Sequence, residues 1–137
     1  MKVPSIILFL SCMLFSGCYK SYISKRIVHN TSSHYIKVIM HSYTSNSKDS
    51  LIINPKSEAI VESFGASEGG PAYNTVEGCA TFITWYFTLK VNKDASLKVA
   101  KDITDSKNWK YTHNAGFQKV DVECRLVITD ADIVRSE

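Results

Sequence analysis

One serine in the chain has the sequence context of a catalytic nucleophile. Gly65-Ala66-Ser67-Glu68-Gly69 matches G-x-S-x-G, a spacing that exposes the serine where a strand turns sharply into a helix. Gly70 and Pro71 follow directly, and both residue types oppose a helix. The rest of the chain has no strand–helix alternation of the kind that builds the parallel sheet around such a turn. A small hydrolase using Ser67 is therefore the least favoured hypothesis, and we predict that the protein is not an enzyme.

The histidines and the C-terminal acids do not form a metal-binding pattern. The chain has four histidines, at His29, His34, His41 and His113. They show none of the paired spacings typical of zinc ligands. Asp130 and Asp132 could hold a cation, although a solvated chain end accounts for them as well. We predict no metal ion and no cofactor.

Charge and aromatic content bear on the class of partner. The formal net charge is +3, and the basic residues alternate with acidic ones, which argues against a nucleic-acid partner. Six aromatic side chains could line a face that binds a protein or a glycan: Tyr35, Tyr43, Tyr73, Tyr86, Trp109 and Tyr111. The alternative, which we favour at this stage, is that most of them cover sheet faces and turns, because ordinary protein surfaces are already rich in apolar atoms.

The N-terminus has the pattern of an export signal. Lys2 precedes an uncharged apolar run at 6–15, and the small residues Ser16 and Gly17 follow it. These are the three parts of a secretory signal peptide, and the run is too short to span a bilayer. We predict a signal peptide at 1–17. Its removal leaves 120 residues, enough for one domain, and a net charge of +2 because Lys2 is the only charged residue lost.

The residues around Cys18 resemble the lipobox of bacterial lipoproteins. Leu14-Phe15-Ser16-Gly17-Cys18 carries the small pair and the cysteine of that motif, with Phe15 where leucine is usual. The resemblance implies a diacylglycerol on the Cys18 sulfur, cleavage before Cys18, and stable membrane anchoring by several acyl chains. We predict a lipidated tether at 18–24 and a domain at 25–137. The alternatives are an ordinary cleaved signal with a chance cysteine, and an uncleaved anchor.

Two cysteines remain once Cys12 is assigned to the signal peptide and Cys18 to lipid. These are Cys79 and Cys124, in a compartment that permits disulfides. The alternation of side chains along their strands turns both thiols toward the core. We predict a disulfide that closes a loop of about 45 residues, worth about 3–4 kcal/mol through chain entropy. The alternative is two separate buried thiols.

The mature chain has the sequence pattern of β structure almost throughout. Runs that alternate, or that are rich in β-branched and aromatic residues, lie at 25–30, 34–43, 51–53, 58–64, 80–91 and 119–129. Residues 94–102 could form a return strand in a hairpin with 80–91 or a short helix, and we favour the hairpin. We expect loops at 65–72 and 105–116. Seven to eight short strands separated by turns predict an all-β fold, a small antiparallel β-sandwich.

Two further resemblances concern modification and family. Asp49-Ser50-Leu51 resembles the short O-glycosylation signal of Bacteroidota, with Ser50 as the acceptor. The whole mature chain is similar to the small uncharacterised lipoproteins of Bacteroidales, on the segments RIVHNTSSHYIKV at 26–38, DSLIINP at 49–55 and ITDAD at 128–132. The Cys79/Cys124 pair is not a feature of that group. The resemblance implies an envelope location and assigns no activity.

The leading functional hypothesis is a non-enzymatic binding or structural module, held on a membrane through Cys18 and contacting a protein or glycan of the envelope. The second is an inhibitor or immunity-type protein that blocks another protein's site with the loop at 65–72. We expect the outer membrane, on its periplasmic side, because Tyr19-Lys20-Ser21 does not resemble the surface-export signals of these bacteria.

Overall fold

The computed structural model describes residues 21–67, 79, 85–116 and 119–137. These residues form nine strands: β1 (Ser21–Asn30), β2 (Ile36–Ser42), β3 (Lys48–Ile53), β4 (Ser57–Ser67), β5 (Trp85–Val91), β6 (Leu97–Val99), β7 (Trp109–Ala115), β8 (Lys119–Ile128) and β9 (Ile133–Arg135). Short 3₁₀ turns lie at Ser106–Asn108 and Asp130–Asp132. The predicted all-β class is confirmed. The predicted signal peptide, Cys18 and the start of the tether lie outside the described residues.

The first sheet has four strands in the order β4-β1-β8-β7. Its β1–β4 and β7–β8 ladders are antiparallel, whereas β1 and β8 run parallel with Ser21 opposite Lys119 and Asn30 opposite Ile128. This is a departure from the antiparallel arrangement that we expected. The parallel pairing needs a long crossover, and the chain between β1 and β8 supplies it by building the second sheet.

The second sheet has three antiparallel strands in the order β3-β2-β5. Its inner side chains pack against the first sheet because period-2 alternation places apolar residues of both sheets on facing surfaces. The shared core contains Val28, Ile36, Val38, Ile53, Val61, Phe87, Val91, Trp109, Leu126 and Ile128. Two sheets that enclose one core make the domain a β-sandwich.

Residues 97–99 form strand β6, so the strand interpretation of 94–102 is correct. The predicted partner was wrong, because β6 pairs with the C-terminal strand β9 rather than with β5, in the register Leu97–Arg135 to Val99–Ile133. The backbone N–H of Ala100 also donates to the carbonyl of Asp132. This small sheet fastens the C-terminus onto the side of the sandwich.

Two boundaries differ from the prediction. The first strand begins at Ser21, and Tyr22 and Ser24 are buried in it, so residues 21–24 belong to the domain rather than to the tether. Residues 109–115, expected to be a polar loop, form edge strand β7 and begin with the buried Trp109. The indole N–H of Trp109 donates to the carbonyl of Ile103 at 2.8 Å.

The sandwich has two ends, which we name according to where strand β1 begins and ends. At the proximal end, β1 begins at Ser21, β2 ends at Ser42 and β8 begins at Lys119; at the distal end, β1 ends at Asn30 and β2 begins at Ile36. The distal end is closed by Asn30, whose side chain links β1 to the ends of β2 and β3. The proximal end is therefore the one at which the chain enters β1 from its N-terminal segment.

Candidate functional site

The outer face of the three-stranded sheet is the surface with the most unusual composition. Three cross-strand rows form it, in the order β3, β2, β5: Ile52–Lys37–Lys90, Ser50–Ile39–Thr88 and Lys48–His41–Tyr86. Strand alternation fixes these nine side chains on one face, because the inner residues Ile36, Val38 and Met40 occupy the opposite phase. We call the nine residues, together with Tyr43 beside Tyr86, the basic face.

Aromatic rings occupy the proximal part of the basic face. The His41 and Tyr86 rings are stacked, with centroids 4.5 Å apart and an interplanar angle of 6°, and Tyr43 lies tilted against Tyr86 at 5.5 Å. Tyr43 is 61% exposed and Tyr86 41% exposed. Stacked, half-exposed rings offer a large contact area at low entropic cost, because their neighbours already restrict their rotamers.

The charge on the basic face is of one sign. Lys37, Lys48 and Lys90 lie on it, and the described outward residues of β2, β3 and β5 include no aspartate or glutamate. Lys37 and Lys90 are directly opposed on neighbouring strands, an arrangement of like charges that destabilises a sheet. Within the part of the chain that the structure describes, none of these lysines has a carboxylate within ion-pair distance.

A groove of about 680 Å³ continues the basic face at its distal edge, beside β5 and β6. Its walls carry the lysines Lys37, Lys90, Lys93 and Lys98 and one acid, Asp94. The hydroxyl and backbone N–H of Ser96 both donate to Asp94. These donors hold the pKa of the Asp94 carboxyl below its usual value. We call this feature the lysine groove; four cations against one anion make its potential positive.

The opposite outer face, on the four-stranded sheet, has balanced charge. Arg125 forms ion pairs with Glu58 and with Glu123, and Lys119 pairs with Asp121 at 3.1 Å. The bond from Arg125 lowers the pKa of the Glu58 carboxyl. Lys25 and Lys110 also lie outward on this sheet, and no ion pair joins either of them to a described residue. The basic face differs because it carries no acidic residue among its outward positions, whereas this face carries Glu58, Asp121 and Glu123.

The distal end holds a buried polar network that sequence reasoning missed. The Asn30 side-chain amide donates to the carbonyls of His34, Ile53 and Asn54 at 2.7, 3.2 and 3.0 Å, and its oxygen accepts from the backbone and hydroxyl of Ser32. Asn30 and Ser32 are fully buried. The only signal in the sequence was a turn-forming composition, which predicts a loop but not its inward direction. This network is structural and holds the β1–β2 connection in place.

Cys79 and Cys124 form a disulfide, with Cα atoms 5.7 Å apart. Both residues are buried, and Cys124 lies in β8 on the core side. The predicted pairing is therefore confirmed. The bond ties the chain before β5, in the second sheet, to the centre of the first sheet. The lipidation site Cys18 lies outside the described residues and stays a prediction.

The catalytic and metal hypotheses can be compared with the positions of their residues. Ser67 ends strand β4, and Gly65 and Ala66 precede it in the same strand, so residues 65–67 of the predicted 65–72 loop are extended. The expected strand-to-helix turn would have to lie within residues 68–78, outside the described part. Among the described residues, no group of three or more histidine, cysteine, aspartate and glutamate side chains could hold a metal ion.

The C-terminal acids have structural partners. Asp130 accepts hydrogen bonds from the backbone and hydroxyl of Ser33 at 2.7 and 2.8 Å. Asp132 accepts from the backbone and hydroxyl of Thr129 and pairs with Lys101 at 3.1 Å. Burial alone would raise the pKa of the Asp132 carboxyl, but these donors lower it on balance.

The six aromatic candidates divide into three groups. Tyr35, Tyr43, Tyr86 and Tyr111 are exposed, Trp109 is only 6% exposed and belongs to the core, and Tyr73 lies outside the described residues. Trp109 is therefore not available to a binding face. The glycosylation candidate Ser50 is exposed on edge strand β3, in the middle row of the basic face.

In comparisons with known proteins, no family model, no curated protein and no solved structure matches the chain. Across the ranges that the structure describes, no helix has the length and apolarity needed to cross a membrane.

Proposed function

We propose that the protein is a lipid-anchored, non-enzymatic binding module of the bacterial cell envelope, and that it binds its partner through the basic face. The anchor is proposed from the signal peptide and the lipobox-like residues around Cys18. The single observation that supports binding is the basic face itself, where exposed rings lie beside lysines that have no carboxylate partner among the described residues. Tyrosines that are partly exposed and beside positive charge are typical of binding surfaces.

The anchor is tested by metabolic labelling of cells with radioactive palmitate. The wild-type protein should incorporate label and fractionate with membranes, and Cys18→Ala should do neither. Cys12→Ala is the matched control, because Cys12 lies in the predicted signal peptide and its loss should leave labelling unchanged. Equal labelling of the Cys18→Ala protein would remove the anchor from the proposal. In a separate experiment, protease treatment of intact cells distinguishes the periplasmic side of the outer membrane, which we propose, from the cell surface.

The binding face is tested by site-specific photo-crosslinking in cells. A photoreactive amino acid replaces Thr88 on the basic face or Thr112 on the outer face of the four-stranded sheet. Both positions lie on a β-strand at an outward-facing row, so the two proteins differ only in the sheet that carries the probe. We expect crosslinked products from position 88 and not from 112. The reverse pattern, or measured hydrolytic turnover that Ser67→Ala abolishes, would contradict the proposal.

The proposed O-glycosylation of Ser50 would change which part of the basic face can bind a partner. If Ser50 carries the proposed O-glycan, the sugar projects from the middle row between Lys37 and His41 and covers part of the surface. The intact mass of the purified protein tests this, since Ser50→Ala would lose the mass of a glycan. A heavily glycosylated Ser50 would shift the proposed contact toward the lysine groove, which lies away from β3.

A further inference from the structure

We infer that the basic face and the lysine groove together bind an acidic polysaccharide, one whose sugar rings carry carboxylate groups. This inference rests on the proposed binding function and adds the chemical class of the ligand. It is carried by three features of the same surface: unpaired lysines, stacked exposed rings, and a length that exceeds a single small anion.

The lysines define the charge of the ligand. Lys37 on β2 lies directly opposite Lys90 on the neighbouring strand β5, and like charges in that position repel. An anion seated between them would relieve the repulsion and gain attraction to both ammonium groups. The groove adds Lys93 and Lys98 beside them, so a ligand with several negative charges would be favoured over a singly charged one.

Lys93 adds positive charge to the groove wall. It lies in the turn between β5 and β6, where its backbone has φ of 64°. Lys56, which is not part of the groove, has a similar φ of 58°, so the contribution of Lys93 to the inference is its charge and position and not its backbone conformation.

The rings define the rest of the chemistry. Tyr86, stacked on His41 and flanked by Tyr43, presents an exposed aromatic surface in the row farthest from the groove. Pyranose rings have apolar faces of C–H groups that pack on such surfaces, and their hydroxyls can bond to Thr88 in the row between. A simple polyanion would use the lysines but gain little from the tyrosines, so the combination favours an acidic sugar.

The dimensions favour a polymer. Rows two residues apart along a strand are separated by about 6.7 Å, so the row of Lys37 lies about 13 Å from the row of His41. The groove extends the surface further at the distal end. Anionic lipid headgroups are the competing source of negative charge, and the vesicle arm of the test separates them from a polymer.

The test measures binding of the full mature protein, in micelles of a non-ionic detergent, to polygalacturonate. Dextran is the neutral polymer control, poly-L-glutamate the acidic peptide, and vesicles containing phosphatidylglycerol the acidic lipid. We expect polygalacturonate to bind, dextran not to bind, and the affinity for polygalacturonate to fall with added salt because the lysines are exposed.

The variants locate the site. Lys37→Gln with Lys90→Gln should weaken polygalacturonate binding roughly five- to tenfold, as expected for the loss of two charge contacts at the surface, one at the half-buried Lys37 and one at the exposed Lys90. Lys25→Gln with Lys110→Gln removes the same charge from the opposite outer face and should change affinity less than about twofold. Lys93→Asn, suited to its left-handed backbone, should weaken binding while leaving thermal stability unchanged or higher.

The aromatic variants separate sugar from simple charge. Tyr86→Ala should weaken binding of polygalacturonate and leave poly-L-glutamate unaffected, with Tyr111→Ala on the other sheet as the matched control. Equal losses in the two lysine pairs, tighter binding to poly-L-glutamate or vesicles than to polygalacturonate, or no binding of polygalacturonate would overturn the inference. Crosslinks from position 88 would in that case still support the binding module, so the two failures can be told apart.

Discussion

Asn30 shows how one polar side chain can set the conformation of a connection. Its amide nitrogen donates to three backbone carbonyls and its oxygen accepts from Ser32, all away from solvent. Asn30→Asp replaces that donor with an oxygen that can only accept while ionised, so it faces the carbonyls of His34, Ile53 and Asn54 without a proton. We expect a loss of about 2–4 kcal/mol in the free energy of unfolding.

Urea unfolding of the mature protein at neutral pH measures this loss. Asn46→Asp is the matched control, because Asn46 is exposed in the turn between β2 and β3 and the same substitution there should change stability by less than about 0.5 kcal/mol. Similar effects at the two positions would show that the buried network contributes little.

Asp130 gives stability a dependence on pH. The backbone N–H and hydroxyl of Ser33 hold the pKa of the Asp130 carboxyl below its ordinary value of 3.8. A pKa lowered by folding means that the ionised form stabilises the native state; this contribution is complete above the unfolded pKa and is lost as pH falls through the folded pKa. We expect Asp130→Asn to lower the urea midpoint at about pH 6 and the difference from wild type to shrink below about pH 4.

Ser33→Ala should show a smaller version of the same pattern, since the backbone donor remains. A difference between Asp130→Asn and wild type that stays constant down to acid pH would mean that the carboxylate charge has no part in it. The comparison with wild type matters because other carboxyls, such as that of Asp102, also have a lowered pKa and add to acid sensitivity.

At the scale of elements, the disulfide links strand β8 of the four-stranded sheet to the chain segment that precedes β5. Cys124 lies in β8, between β1 and β7, and Cys79 precedes β5. The bond closes a loop with a sequence separation of 45, for which the chain-entropy model gives about 4 kcal/mol. Cys79→Ala with Cys124→Ala should therefore unfold at clearly lower urea than wild type. Wild-type protein unfolded with and without reducing agent serves as the control, and a wild-type midpoint insensitive to reducing agent would contradict the expectation.

The strands were predictable where alternation and burial agree. Val120, Val122, Cys124, Leu126 and Ile128 are all buried in β8, and their spacing alone indicated an inward face. Strand β7 was not predictable, because it is an edge strand whose residues after Trp109 are exposed and therefore carry no hydrophobic period. The β6–β9 pairing was missed for another reason: its partners are far apart in sequence, and short strands hold little local information.

Sequence alternation also did not predict the inward position of a charged residue. Arg26 is 2% exposed and pairs with Glu62 on the neighbouring strand β4. The register between β1 and β4 shifts between Arg26 and Ile27 and leaves Val61 as the extra residue of β4. Simple alternation therefore misassigns the faces of β4, whereas β1 keeps one register along β8. The basic face was only partly predictable for a similar reason. Its lysines and tyrosines come from three strands, and only the pairing of those strands shows that they share one surface.

At the scale of the whole molecule, the proposed anchor and the fold together set an orientation. Only Tyr19 and Lys20 separate Cys18 from β1, which begins at Ser21. Three residues of extended chain span at most about 10 Å, so lipid on Cys18 would hold the proximal end close to the headgroups. The ten residues of β1 then extend the sandwich by about 33 Å, which carries the lysine groove away from the membrane.

Lysine acetylation of the protein in phosphatidylcholine vesicles, compared with the protein in detergent, tests this orientation. Lys48 and Lys119 lie at the proximal end and Lys93 and Lys98 at the distal end, all on exposed positions. We expect the proximal pair to react more slowly in vesicles and the distal pair to react at the same rate in both. Uniform rates would mean that the tether lets the domain tumble freely, and slower distal labelling would invert the orientation. The expected result would leave the groove facing the surrounding aqueous compartment, where a long acidic polymer can reach it without approaching the bilayer.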